Sequence, residues 1–133
     1  KNKLRYLDIV FNFRICFTFL KYIISTLYDY ETIEEIIAGT TEQLILCGHT
    51  HIPCGYQTQS GQTVVNVGSV GRPMTKDPRA CYAIVDFSEG SFEIRHRFVK
   101  YDNQLAAQIM SQRDFVGSDM LADLLLNPSA RHI

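Results

Sequence analysis

Neither glycine nor proline occurs before Gly39, although the chain has eight of one and four of the other. There is no excess charge of either sign: thirteen basic and fourteen acidic residues leave a net −1. That balance supplies no global positive field for a nucleic-acid polymer or an anionic membrane. The four cysteines (Cys16, Cys47, Cys54, Cys81) form no CxxC pair, and no secretory signal precedes them. Free thiols in a reducing compartment are therefore expected, which places the chain in the cytoplasm. Hydrophobic residues at 46% and charged residues at 20% exclude a disordered, collagen-like or coiled-coil chain. At 133 residues the chain can bury roughly two-thirds of its unfolded surface without a disulfide or metal staple.

The average conceals two unlike segments. Residues 1–28 hold seven of the fifteen aromatics and five basic residues against one acid, Asp8. The other 105 residues carry eight basic and thirteen acidic residues. Such a break predicts a boundary, with an atypical lead-in over 1–28 and a domain over 29–133. Within the lead-in, Ile9, Phe11, Phe13, Ile15, Phe17 and Phe19 recur at period two, which favours a half-buried strand. A helical or disordered lead-in and a membrane segment are the competing readings. Arg14 and Lys21 weigh against the last, each costing on the order of 2.5–3.5 kcal/mol at the centre of a spanning helix.

From Asp29 the local signals agree with one another. Thr32 and Glu35 predict a capping box ahead of Ile33, Ile36 and Ile37, with Gly39 as the stop. Residues 43–47 read as a short buried strand of the parallel type. A turn at Ser60-Gly61 leads into a strand over 62–67, and residues 81–99 read as an antiparallel hairpin turning at 88–90. Asp102 predicts a cap for a helix presenting Leu105, Ile109 and Met110. A last helix presents Met120, Leu121, Leu124 and Leu125 before Pro128. The order helix, buried strand, strand, hairpin, helices predicts an α/β fold.

Chemistry concentrates in Gly48-His49-Thr50-His51, just past the end of the buried strand, where open α/β sheets gather their ligands. Two histidines two apart in an extended chain would point to one side, and imidazole is both a common metal ligand and a general base. Exposed loop histidines are the plain alternative. Cys47, His49, His51 and Cys54 also contain the residue types of a tetrahedral zinc site, and a Cys–His nucleophile is conceivable. A second cluster, Asn66-Val67-Gly68-Ser69-Val70-Gly71-Arg72, sits at the end of the next strand. Its glycines can expose amides, Asn66 and Ser69 offer local hydrogen bonds, and Arg72 suits a phosphate or carboxylate. A self-bonded turn with a solvated arginine is the alternative there. His96, on a strand, and His132, near the end, give no reason to single them out.

In this order, Gly48-His49-Thr50-His51, Asn66-Val67-Gly68-Ser69-Val70-Gly71 and Asp77-Pro78-Arg79-Ala80-Cys81-Tyr82-Ala83 resemble the C-terminal half of a calcineurin-like metallophosphoesterase of the small bacterial branch. The resemblance covers about residues 30–127. It implies half of a four-layer α/β/β/α sandwich, with a mixed sheet, a β-hairpin and flanking helices. It implies a phosphate ester substrate, mono- or diester, and two divalent ions (Mn, Fe, Zn or Ni), with His49 and His51 each binding a different one. Asn66, Gly68 and Ser69 would form the turn bordering that site. Val67 stands where proline is common in the family. The family's earlier acidic and histidine motifs have no counterpart in this sequence, and no catalytic residue is identified in it. The expectation is therefore a phosphoesterase portion inactive as an isolated chain, self-associating through an exposed sheet or its missing half. A non-catalytic protein-binding scaffold and a zinc-stabilised module are the alternatives.

Overall fold

Leu44-Ile45-Leu46-Cys47 has no polar residue to turn toward water, and as β2 (Leu44–Cys47) it is buried at every position. A strand buried on both faces sits between neighbours. In the computed structural model, which describes residues 15–18 and 29–128, β2 pairs in parallel with β1 (Ile15–Thr18) on one side and β4 (Thr63–Asn66) on the other. The edge strand β3 (Cys54–Gln57) then pairs antiparallel with β4, giving the order β1-β2-β4-β3. The alternating run of the lead-in is thus strand where it is described, at 15–18. Its other residues lie outside the described part.

Parallel strands need a crossover, and α1 (Tyr30–Ile37) lies between β1 and β2 in the chain. Its cap differs from the expected box. Asp29 Oδ1 accepts from Thr32 N at 2.8 Å, so Thr32 is the third helical residue rather than the cap. A carboxylate three residues earlier is the stronger acceptor, and the bond to Thr32 holds the Asp29 carboxyl below its ordinary pKa. Ile33 and Ile37 pack on Ile45, Cys47 and Val64, one face of the sheet.

The opposite face, Leu44, Leu46 and Val65, is covered by Val85, Phe87, Phe92 and Ile94. These come from the two-stranded antiparallel sheet of β5 (Ala80–Ser88) and β6 (Ser91–Val99). Helix, mixed sheet and hairpin are therefore three successive layers. After the hairpin come α2 (Asn103–Ser111) and α3 (Ser118–Leu126), which pack on each other through Ala107, Ala122 and Leu125. Asp102 caps α2 as expected, accepting from Leu105 N at 2.9 Å. The expected face of α2 holds only in part, with Met110 packed against the cluster of Ala107, Ala122 and Leu125. Leu105 and Ile109 are exposed and Ala107 is buried, because small side chains let the two helices approach closely. On α3 Met120 is also exposed, while Leu124 and Leu125 are buried.

Strand β3 was not apparent in the sequence. Cys54-Gly55-Tyr56-Gln57 lacks β-branched residues, and the backbone pairing with β4 supplies what local preference does not. Among the described residues no helix is long and apolar enough to cross a membrane.

Ile45 is fully buried between these layers. Ile45→Ala should therefore lower the unfolding free energy by about 2–5 kcal/mol in urea titration. Val116→Ser, at a fully exposed position, should change it by less than about 0.5 kcal/mol.

Candidate functional site

Strand order dictates how the Gly48-His49-Thr50-His51 segment is shaped. Cys47 on β2 and Cys54 on β3 are both register partners of Asn66, one on each side of β4. Residues 48–53 must therefore arch over the carboxyl end of β4. The span is two strand spacings, roughly 10 Å, whereas the seven links available could reach roughly 23 Å when extended. The slack is taken up in two left-handed corners, His49 at φ 74° and His51 at φ 60°. This corrects the expectation of an extended chain at the two histidines. What survives of it is alternation: Thr50, between them, is buried, while His49 is exposed and His51 half-buried.

Asn66 fills the space beneath the arch and is completely buried. Its Nδ2 donates to Gly48 O at 2.9 Å and to Thr50 Oγ1 at 2.8 Å, and its Oδ1 accepts from Gly68 N at 3.1 Å. One amide thereby joins the histidine arch to the following turn. His96 adds a third element. It shares the inward face of β6 with Phe92 and Ile94, and its Nε2–H donates to Asn66 O at 2.8 Å. The signal for it in the sequence is a histidine at an inward position of an otherwise apolar strand face.

The turn after Asn66 needs glycine at one position for two reasons. Gly68 has φ +80°, and a Cβ there would stand 2.9 Å from Cys81 Sγ and 3.3 Å from Pro53 Cβ. The close approach seats the turn on the start of β5, where Cys81 N donates to Ser69 O at 2.8 Å. Ser69 Oγ accepts from Arg72 N at 3.0 Å. Arg72 O in turn accepts from His51 Nδ1 at 2.8 Å. A carbonyl only accepts, so Nδ1 of His51 carries a proton, and in the neutral ring Nε2 carries the lone pair.

The structure thus sets two hydrogen-bonded groups side by side, Asn66 with Gly48, Thr50 and Gly68, and His51 with Arg72 and Ser69. The backbone at 50–51 and 68–69 joins them, and His49 lies on the same arch. It does not gather the proposed zinc tetrad. Among the described residues no group of three or more His, Cys, Asp or Glu could hold a metal ion. Cys47 belongs to the core packed against α1, and its thiol donates to Val65 O at 3.4 Å. Burial pushes the Cys54 and Cys81 thiols up, away from the thiolate that a nucleophilic role needs. Cys47, Cys54 and Cys81 form no disulfide with one another.

Downstream, Asp77 and Arg79 form a bidentate pair, with Arg79 Nε 3.0 Å from each carboxylate oxygen and the guanidinium over the Phe98 ring. The Arg79 hydrogen bonds bring the Asp77 carboxyl down to a pKa of about 2.

A family model described as the calcineurin-like phosphoesterase superfamily domain matches residues 18–90, more than half of the chain. The chain belongs to that superfamily. The match takes in the histidine arch, the turn and the Asp77–Arg79 pair, and it begins within the lead-in, at residue 18. Among solved structures the chain is similar to a metallophosphoesterase from Sphaerobacter thermophilus, with 18% identity and a TM-score of 0.62. That likeness covers 90% of this chain and 56% of the other. It shows the fold: mixed sheet, hairpin and helices are those of a metallophosphoesterase, and the chain spans little more than half of the matched protein. No curated protein matches the chain by sequence. The superfamily is generally metal-dependent, and two imidazoles without a carboxylate are only part of a donor set for two divalent ions.

Three outcomes test this geometry. Gly68→Ala should destabilise the chain by about 1–3 kcal/mol in thermal or urea unfolding. Gly71→Ala, with open space around it, should cost far less. Asn66→Ala should cost about 1–3 kcal/mol by orphaning its partners, and amide exchange at Gly68 should accelerate. Carbon-detected NMR should place the Asp77 midpoint near 2, and Arg79→Gln should move it up toward the ordinary carboxylate value. Because the folded pKa is the depressed one, the pair's stabilisation is present above the unfolded value. It is lost as pH falls through that value toward about 2.

Proposed function

We propose that this chain carries the C-terminal part of a phosphoesterase site, in which His49 and His51 each ligate a different one of two divalent cations. The complete domain would hydrolyse phosphomonoester or phosphodiester bonds. The observation that carries this reading is the bond from His51 Nδ1 to Arg72 O. It orients the ring and leaves Nε2 as a lone-pair donor, the arrangement that supports ligating histidines in metal sites. Superfamily membership supplies the reaction class.

When bound, such a metal pair supplies a hydroxide and neutralises the oxygens of the phosphoryl group. To such a site the arch contributes two imidazoles and no carboxylate. No acid lies between Glu42 and Asp77, so the carboxylates that would bridge and neutralise two cations come from outside this stretch. The isolated chain is therefore expected to bind Mn²⁺ or Zn²⁺ weakly, through His49 and His51, and to be silent as a hydrolase. Its sheet edges and missing half would favour self-association.

The test joins residues from Tyr30 onward to the N-terminal half of a superfamily member that carries the acidic motifs. The chimera should hydrolyse an aryl phosphate or bis-aryl phosphate in a metal-dependent manner. His49→Ala and His51→Ala should each reduce turnover about 100-fold or more, the upper end of what losing even an outer-shell partner costs. Cys54→Ser should leave it nearly unchanged. Turnover by the 133 residues alone would overturn the partial-site reading. A folded but silent chimera would favour a protein-binding scaffold.

A further inference from the structure

Arg72 is used twice by its backbone, as donor to Ser69 Oγ at 3.0 Å and as acceptor from His51 Nδ1 at 2.8 Å. Its side chain is a different matter. Arg72 Nε is a buried donor with no hydrogen-bond partner among the described residues. Folded proteins seldom leave a buried polar atom unpaired, and an orphaned donor on a cation is among the more costly cases.

Two other arginines show what this one lacks. Arg79 is forked onto Asp77, and Arg95 lies 2.6 Å from Asp86. Residues 43–76 contain Arg72 and Lys76 and no acid at all, so no carboxylate of that stretch is available to Arg72. A guanidinium has donors only and is always charged, so its complement is an acceptor that carries negative charge. A planar fork prefers an oxyanion with two oxygens to offer.

We infer that Arg72 is the oxyanion receptor of this site, its Nε–H taking an oxygen of a phosphoryl group or of released phosphate. The proposal rests on the reading of the site as a phosphoesterase for the choice of phosphate over other oxyanions. It assigns a task to a side chain that the metal role of the histidines leaves unexplained. The bond from His51 to Arg72 O couples the two, because it holds the backbone of the receptor against the imidazole of the ligand.

Arginine Nε–H groups are directly visible in ¹H–¹⁵N spectra, so the test needs neither metal nor turnover. Inorganic phosphate is titrated into the full chain at constant ionic strength, with the Arg72 signal identified by its loss in Arg72→Lys. That signal should shift saturably and exchange more slowly, while those of Arg79 and Arg95 stay in place. Arg72→Lys keeps both backbone bonds and the charge but removes the fork, and should weaken phosphate binding about tenfold or more. No response of the Arg72 signal to phosphate would overturn the proposal. An equal or stronger response to acetate would also overturn it, by assigning the receptor to a carboxylate. Calorimetry with Mn²⁺ separates the two readings. A phosphate response without metal binding at His49 and His51 would remove the metal site and leave the receptor. Metal binding without a phosphate response would do the reverse.

Discussion

Everything at the carboxyl edge of the sheet depends on one buried amide. Asn66 is flanked in register by Cys47 and Cys54, so the chain between those two residues has to pass above it. A side chain in that place must satisfy the carbonyl of Gly48 and the hydroxyl of Thr50 from below, and also accept the amide of Gly68. An amide can donate twice and accept in the same plane. A carboxylate would lack the donors, and an aliphatic residue would remove all three bonds at once. The arch, the turn and the histidines they carry stand or fall with that residue.

The site is consequently built across layers rather than on one loop. His96 reaches Asn66 O from the hairpin, and Gly68 lies against Cys81 at the start of the same hairpin. Both contacts cross from the mixed sheet to the second sheet. Apolar packing of Leu44, Leu46 and Val65 on Val85, Phe87, Phe92 and Ile94 sets the spacing at which those polar contacts can form. Core packing and site geometry are thus the same constraint seen from two ends. Left-handed backbone at His49 and His51 is the local consequence. Histidine tolerates that region better than a β-branched residue would, and the surrounding bonds hold it there.

The division of charge is equally telling. The arch and the turn are free of acids, and the nearest downstream carboxylate, Asp77, is already committed to Arg79. Such a surface holds imidazole lone pairs and a guanidinium but nothing to balance cations. This agrees with a chain that spans 56% of the metallophosphoesterase it resembles in fold.

The sequence by itself determined the elements whose cause is local. The buried run of β2, the helix on Ile33 and Ile37, the hairpin with its Glu89-Gly90 turn and the Asp102 cap all follow from periodicity, turn chemistry or hydrogen bonds within four residues. The order of the motifs was also sufficient to place the chain in its superfamily. Tertiary structure decided what depends on strand order and on neighbours distant in sequence. That β3 lies beyond β4 makes the histidine segment an arch, which no spacing of His49 and His51 reveals. The tautomer of His51 depends on a carbonyl 21 residues away, and the role of His96 on one 30 residues away. The same holds for the α2 face, where contact with α3 buries Ala107 and leaves Leu105 and Ile109 exposed. Local patterns encode which residues prefer to be buried. Only the packed layers determine which of them are, and which polar groups meet as a result.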